Sequence, residues 1–137
     1  GSIFAGPAKV VKRARKWRKL LGGGMRQTGF IAAPALLALQ EMPKRLLEDH
    51  ANADYLAKKL EEVAGVSVLS ERRDINMVFF TIDQDNDTLG QLPALLKEEG
   101  ILINGQEKNG EWRWVTHKDV NREDIDRAVS SLEELLK

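Results

Sequence analysis

The feature that most constrains the fold of this chain is a glycine-rich stretch at residues 22–29, with the sequence GGGMRQTG. Glycine tolerates positive φ angles and lets backbone amides approach a ligand closely. The stretch follows a helix predicted over residues 8–21 and precedes one predicted over residues 30–40, so we expect it to separate them. Because Arg26 adds a forked cationic donor, the loop is also a candidate anion site, although it matches neither standard phosphate-loop pattern. A helix cap followed by a turn is the alternative.

The charge of the chain is divided unevenly. Residues 1–40 carry eight basic side chains and no acidic one, whereas residues 41–137 carry the other 13 basic and all 21 acidic side chains. Such asymmetry indicates an anionic partner for the first segment, or two pieces of different structural origin. One alternative is a nucleic-acid-binding module in which Trp17 stacks among basic residues. The helix at residues 30–40 is apolar on most sides, which predicts that it packs against another domain or subunit.

From residue 43 onward the patterns follow the order helix, strand, strand, helix, strand, strand, helix. This order predicts an α+β domain with helices on one face of a mainly antiparallel sheet. The predicted helices cover residues 43–64, 88–99 and 122–136, and the predicted strands cover residues 66–69, 76–82, 101–104 and 111–117. Thr88 and Asn121 are the expected N-caps. The inner face of the first helix is predicted to consist of Leu46, Leu47, His50, Ala53, Ala57 and Leu60.

Few residue types in the chain suggest a catalytic or metal centre. There is no cysteine, and His50 and His117 are the only histidines, so no metal site is predicted. The absence of cysteine is compatible with a cytoplasmic location, and no apolar run approaches the ~20 residues of a membrane span. Arg113 lies on a predicted strand between two tryptophans and faces away from both. A strand-mounted guanidinium suits bidentate carboxylate binding, and an exposed surface ion pair is the alternative.

Several segments resemble one enzyme family. The block Trp17-Arg18-Lys19-Leu20-Leu21 followed by GGGMRQTG is similar to the segment of low-specificity L-threonine aldolases that follows their pyridoxal-phosphate (PLP) lysine. Further similar blocks, in the same order, are Glu48-Asp49-His50, Asn76-Met77-Val78-Phe79-Phe80, Ile101-Leu102-Ile103-Asn104 and Arg113-Trp114-Val115-Thr116-His117-Lys118-Asp119-Val120. The order and rough spacing hold from Gly1 to Lys137.

The resemblance implies a fold, a cofactor and an activity. Residues 43–137 would form the small C-terminal domain of a fold-type-I PLP enzyme (PLP-dependent transferase-like), and residues 1–42 the tail of the large domain. The implied reaction splits β-hydroxy-α-amino acids such as L-threonine or allo-threonine into glycine and an aldehyde. The enzyme would be a cytoplasmic homodimer or homotetramer without nucleic-acid or membrane partners. Another fold-type-I PLP lyase or racemase is the near alternative.

The resemblance also assigns roles to residues. Arg113 matches the arginine that holds the substrate's α-carboxylate, and Arg26 and Lys19 match residues near the cofactor phosphate of a neighbouring subunit. No segment resembles the block with the Schiff-base lysine, which in that family precedes the position of Gly1. We therefore expect the C-terminal portion of a longer enzyme that needs its N-terminal portion, with no catalytic residue of its own and no activity when alone.

Overall fold

A computed structural model describes residues 3–72 and 75–137 of the chain, so Gly1 and Ser2 lie outside the described residues. The chain divides into two compact units, Gly1–Lys44 and Arg45–Lys137. This division falls two residues from the predicted boundary, and the assignment of the first unit to a large cofactor-binding domain stays a prediction. Within the described residues, no helix is long and apolar enough to cross a membrane.

The first unit contains two helices, α1 (Ala8–Leu20) and α2 (Gly29–Glu41), neither of which has a buried residue. The predicted break between them is confirmed. Gly22 has a φ of +84°, and its amide donates to the Lys19 carbonyl (3.2 Å) while the Gly23 amide donates to the Arg18 carbonyl (2.8 Å). These two bonds form a Schellman cap. The positive φ favours glycine at position 22, and a Cβ at Gly23 would lie 2.9 Å from Cγ of Arg18.

The second unit is an α+β domain, as predicted. Its elements are α3 (Leu46–Glu61), β1 (Val66–Val68), β2 (Met77–Ile82), α4 (Asn86–Glu98), β3 (Trp112–Val115) and α5 (Arg122–Leu135), with a short 3₁₀ helix at Ser70–Arg72. Another 3₁₀ helix, Met42–Arg45, lies at the boundary between the two units. The three strands form an antiparallel sheet in the order β1-β2-β3. The central position of β2 agrees with its continuous apolar sequence.

The core lies on one face of this sheet, where the helices pack. Trp112 and Trp114 point into it, and the Trp114 ring meets Phe80 edge-on with ring centroids 5.4 Å apart. Edge-to-face aromatic pairs of this kind add to the gain from apolar burial. The opposite face carries Phe79 and Arg113. The predicted alternation of β3, with tryptophans inward and Arg113 outward, is confirmed.

The predicted inner face of α3 is confirmed at Ala53, Ala57 and Leu60, which are buried, and is wrong in the first turns of the helix. Leu46 is 49% exposed and Leu47 is 77% exposed, and His50 is exposed as well. Asp49 and Asn52 are buried instead. Contacts to distant segments determine which side of this part of α3 is buried. The Thr116 hydroxyl donates to the Asp49 carbonyl (2.7 Å), and Nδ2 of the Asn52 side chain donates to the Val120 carbonyl (3.2 Å).

Two predicted helix starts also differ from the structure. A 3₁₀ turn precedes α3, so the helix begins at Leu46 rather than at Pro43. Asp85, not Thr88, is the N-cap of α4, and its carboxylate accepts hydrogen bonds from the amides of Asp87 and Thr88. The predicted cap of α5 is confirmed, since Asn121 and Asp124 form a reciprocal capping box.

Residues 101–104, predicted as a strand, form no strand in the structure. The turn that follows pairs the Glu107 amide with the Glu111 carbonyl (2.8 Å). Extending that register would place Ile103 opposite Val115, on the exposed face of the sheet. Ile103 instead packs against the core. Moving the pairing by one residue would turn Ile103 to the core face, but the hydrogen bonds of the turn fix the other register. Because the register of the turn and the burial of Ile103 are incompatible, residues 101–104 do not pair with β3.

Candidate functional site

A cleft of about 400 Å³ opens beside β3 in the second unit. Its walls come from residues 100–104, from β3 with the two residues after it, and from α5. The lining is apolar at Ile101, Ile103 and Ile125. Arg113 and His117 bring polar groups to the same cleft. An apolar concavity with a few polar groups is the usual form of a small-molecule site.

Arg113 lies on β3, which is an edge strand of the sheet and pairs with β2. It lies opposite Phe79 of β2 in the antiparallel register, and its side chain is 40% exposed. Among the residues that the structure describes, Glu107 places a carboxylate beside this guanidinium, with its Oε1 3.8 Å from Nε of Arg113. That separation is too long for a hydrogen bond. Within the described part of the chain, the guanidinium therefore hydrogen-bonds no carboxylate, and its donors can reach a ligand.

A second arginine lies on the same face of the sheet. Cζ of Arg72 is 3.8 Å from the centroid of the Phe79 ring, a cation–π arrangement. The Arg72 guanidinium also hydrogen-bonds the carboxylate of Glu111. Arg72 is thus committed to a partner on each side, in contrast to Arg113.

The two histidines lie in different places and do not form a common site. His117 is exposed in the Arg113 cleft, and its Nδ1 accepts a hydrogen bond from the Asp119 amide (3.2 Å). This contact is local, as expected for a structural histidine. His50 lies exposed on α3. No group of three or more metal-ligating side chains occurs in the described ranges.

The two predicted phosphate-binding residues, Lys19 and Arg26, lie in the first unit, and Arg113 lies in the second. Lys19 and Arg26 are both exposed. Among residues 3–72 and 75–137, the amides of residues 24–28 donate no hydrogen bond. Gln27 has a φ of +52°, and the loop leads into the N-terminus of α2. Free amides at a helix N-terminus beside cationic side chains can bind an anion.

Sequence reasoning missed the two glutamates that contact the outward-facing arginines. Glu107 and Glu111 flank the turn at Lys108-Asn109-Gly110, a sequence that is typical of a hairpin turn. Their spacing of four residues across a tight turn could have suggested that both carboxylates lie near β3. The pattern of apolar residues does not predict the contacts of these glutamates with Arg113 and Arg72, because those contacts depend on the conformation of the turn.

Comparisons with known proteins agree with this architecture. A profile described as Beta-eliminating lyase matches residues 1–84. The low-specificity L-threonine aldolase of Escherichia coli strain K12 is 42% identical over 125 residues, which cover 91% of this chain and 35% of that protein. The chain therefore spans about a third of the length of this curated relative.

Solved structures share the fold. One from Listeria monocytogenes, provisionally assigned as an L-allo-threonine aldolase, has a TM-score of 0.68 at 20% identity over 96% of this chain and 39% of its own. A C-DES mutant with glycine covalently linked to its PLP cofactor has a TM-score of 0.61 at 19% identity over 77% of this chain and 28% of its own. Because the family profile covers more than half of the 137 residues, the chain belongs to the beta-eliminating lyase family.

Proposed function

We propose that this chain is the C-terminal part of a PLP-dependent aldolase that splits a β-hydroxy-α-amino acid of the threonine type into glycine and an aldehyde. The family is PLP-dependent, and the similarity to the Escherichia coli aldolase suggests the substrate class. The observation that carries the proposal is Arg113, a strand-mounted guanidinium in an open cleft that hydrogen-bonds no carboxylate among the residues that the structure describes.

Arg113 would bind and orient the α-carboxylate of the substrate. A guanidinium offers two parallel N–H donors that match the two oxygens of a carboxylate. Its mount on β3, paired to β2 along its length, would limit the rotation of the bound amino acid. Fixing the carboxylate fixes the direction of the Cα–Cβ bond, which is the bond broken in the proposed reaction.

The loop of the first unit would hold the cofactor phosphate. Lys19 and Arg26 supply positive charge, and the amides of residues 24–28 supply hydrogen-bond donors, a donor set that fits a dianionic phosphate. When bound, PLP supplies an electron sink for the cleavage reaction. The described residues offer no evident base for the β-hydroxyl proton, so we assign that step to no residue of this chain.

Substitution of Arg113 in the whole enzyme tests the proposal. Arg113→Ala should remove a charge-assisted contact worth about 1.5–3 kcal/mol, which is roughly a ten- to hundredfold loss in kcat/KM for threonine cleavage. Arg113→Lys should restore only part of the activity, because an ammonium cannot make two parallel bonds. The visible absorbance of the bound cofactor should persist in both variants.

Arg122→Ala is the matched control. Arg122 is the first residue of α5, its guanidinium lies over the ring of Tyr55 on α3, and it does not line the cleft. The kcat/KM of this variant should stay near that of the unsubstituted enzyme. Near-normal cleavage by Arg113→Ala, or loss of cofactor absorbance in that variant, would show that the assigned role is wrong.

A further inference from the structure

We infer that Glu107 is the resident counter-ion of Arg113 and that a ligand carboxylate binds by displacing it, so that Glu107 lowers the affinity of the site. The contact between the two side chains is independent of any ligand. The identity of the displacing ligand as an amino-acid carboxylate rests on the proposed function.

The backbone of Glu107 is fixed by the turn in which it lies. Its amide donates to the Glu111 carbonyl (2.8 Å), and its carbonyl accepts from the Gly110 amide (2.9 Å). The Gln106 side chain donates to the Gly110 carbonyl (2.8 Å), and the Asn109 side chain accepts from the Glu111 amide (3.2 Å). Four hydrogen bonds thus hold a turn that directs the Glu107 carboxylate toward Arg113 without involving that carboxylate.

The ion pair between Arg113 and Glu107 is weak enough for a ligand carboxylate to replace Glu107. The closest atoms are 3.8 Å apart, and the Arg113 and Glu107 side chains are 40% and 48% exposed. Exposed ion pairs contribute little to stability because water screens them. Arg45 and Asp49 show the opposite case, with bonds of 3.0 and 3.2 Å to a carboxylate that is only 6% exposed. The Arg45–Asp49 ion pair is therefore suited to stabilise the fold, whereas the Arg113–Glu107 pair is suited to give way to a ligand carboxylate.

The geometry also leaves room for the incoming group. Glu107 approaches the guanidinium at Nε, so the two terminal nitrogens are not engaged by it. A ligand carboxylate that reaches those nitrogens would repel the Glu107 carboxylate at short range, so its binding displaces Glu107 from Arg113. Removing the charge of Glu107 should therefore strengthen carboxylate binding at Arg113.

The first test follows acetate binding to the isotope-labelled 137-residue chain through the NMR signal of the Arg113 Nε–H group. Glu107→Gln keeps the shape of the side chain and all four turn hydrogen bonds. We expect it to shift the Arg113 signal in the absence of acetate and to tighten acetate binding by about two- to fivefold, the range of one exposed ion pair. In a chain that already carries Arg113→Ala, Glu107→Gln should not increase the affinity for acetate, as required if the two residues are coupled.

Glu133→Gln is the control for the loss of one negative charge, because Glu133 forms an exposed ion pair with Lys137 (3.2 Å) on α5. Glu133→Gln should change neither the Arg113 Nε–H signal in the absence of acetate nor the affinity for acetate. Unchanged or weaker acetate binding by Glu107→Gln would overturn the inference, as would an equal gain in Glu133→Gln.

The second arm uses the whole enzyme and separates this inference from the proposed function. Glu107→Gln should lower the KM for threonine by about two- to fivefold with little change in kcat. If acetate binding responds as expected but neither Glu107→Gln nor Arg113→Ala affects threonine cleavage, the counter-ion role stands and the proposed function is wrong.

Discussion

At the scale of single residues, buried polar contacts set the geometry around the cleft. Thr116 is 1% exposed, and its hydroxyl donates to the Asp49 carbonyl on α3. Its amide donates to the Asn76 carbonyl beside β2 (3.0 Å). One residue therefore ties the end of β3 both to its neighbouring strand and to the first helix of the domain.

Thr116→Val should destabilise the chain by about 1 kcal/mol, because it removes the hydroxyl donor of a buried hydrogen bond while keeping the side-chain volume. Urea denaturation followed by circular dichroism measures the change. Thr116→Ser keeps the hydroxyl and loses one methyl group, so it separates the hydrogen bond from packing. Equal stability of Thr116→Val and the unsubstituted chain would mean that this hydrogen bond does not hold α3 in place.

At the scale of elements, the start of α4 depends on a charged cap. The Asp85 carboxylate accepts hydrogen bonds from the Thr88 amide (2.9 Å), the Thr88 hydroxyl (2.7 Å) and the Asp87 amide (3.0 Å). These bonds, chiefly that from the Thr88 amide, hold the pKa of Asp85 below its ordinary value of 3.8. The ionised carboxylate is therefore favoured in the folded state.

The lowered pKa predicts a pH-dependent contribution to stability. It is fully present above pH 3.8, the unfolded value, and is lost as the pH falls through the lower folded-state value. Asp85→Asn should be less stable than the unsubstituted chain near neutral pH, and the difference should narrow in acid. Thermal unfolding of both proteins over a pH series measures this. A difference that is constant with pH would contradict the charge-based account of the cap.

At the scale of the whole molecule, the first unit exposes many large apolar side chains. On α2 these include Phe30 (88% exposed) and Leu39 (60%), and on α1 Trp17 (56%). Exposed apolar surface of this extent marks an interface. We propose that residues 8–41 pack against another subunit or domain of the whole enzyme, which we expect to be a homo-oligomer.

Sedimentation and amide hydrogen exchange test this proposal. In the whole enzyme, we expect an oligomer in which exchange across α1 and α2 is slow. In the 137-residue chain by itself, we expect self-association or fast exchange in the same helices, because their apolar faces lack a partner. A monomeric 137-residue chain with strong exchange protection over α1 and α2 would contradict this expectation.

The 137-residue chain alone should not cleave threonine. PLP enzymes of this kind need a positioned lysine of lowered pKa, and no segment of this sequence resembles the block that carries it. Borohydride reduction of the chain with PLP, followed by peptide mapping, should find no single stoichiometric site. Stoichiometric labelling of one lysine together with threonine cleavage would refute the prediction.

The elements that depend on local physics could be predicted from the residues alone. Glycine at the end of α1, the alternation along β3 and the Asn121 cap of α5 could all be predicted, because each follows from backbone freedom, side-chain period or a short-range hydrogen bond. The antiparallel α+β arrangement followed from the order of these elements. Arg113 was identified as a candidate by its outward position on β3 and by the family resemblance.

Features that depend on contacts between distant residues could not be predicted without the three-dimensional structure. The buried face of α3 is set by Thr116 and Val120, which lie 67 and 68 residues from their partners Asp49 and Asn52. Residues 101–104 have the composition of a strand but form none, because Ile103 packs against the core and the pairing of Glu107 with Glu111 would place it on the exposed face. The approach of Glu107 to Arg113 is likewise a product of that turn. Hydrophobic period cannot encode such contacts, because it reports only which side of an element is apolar and not what that side meets.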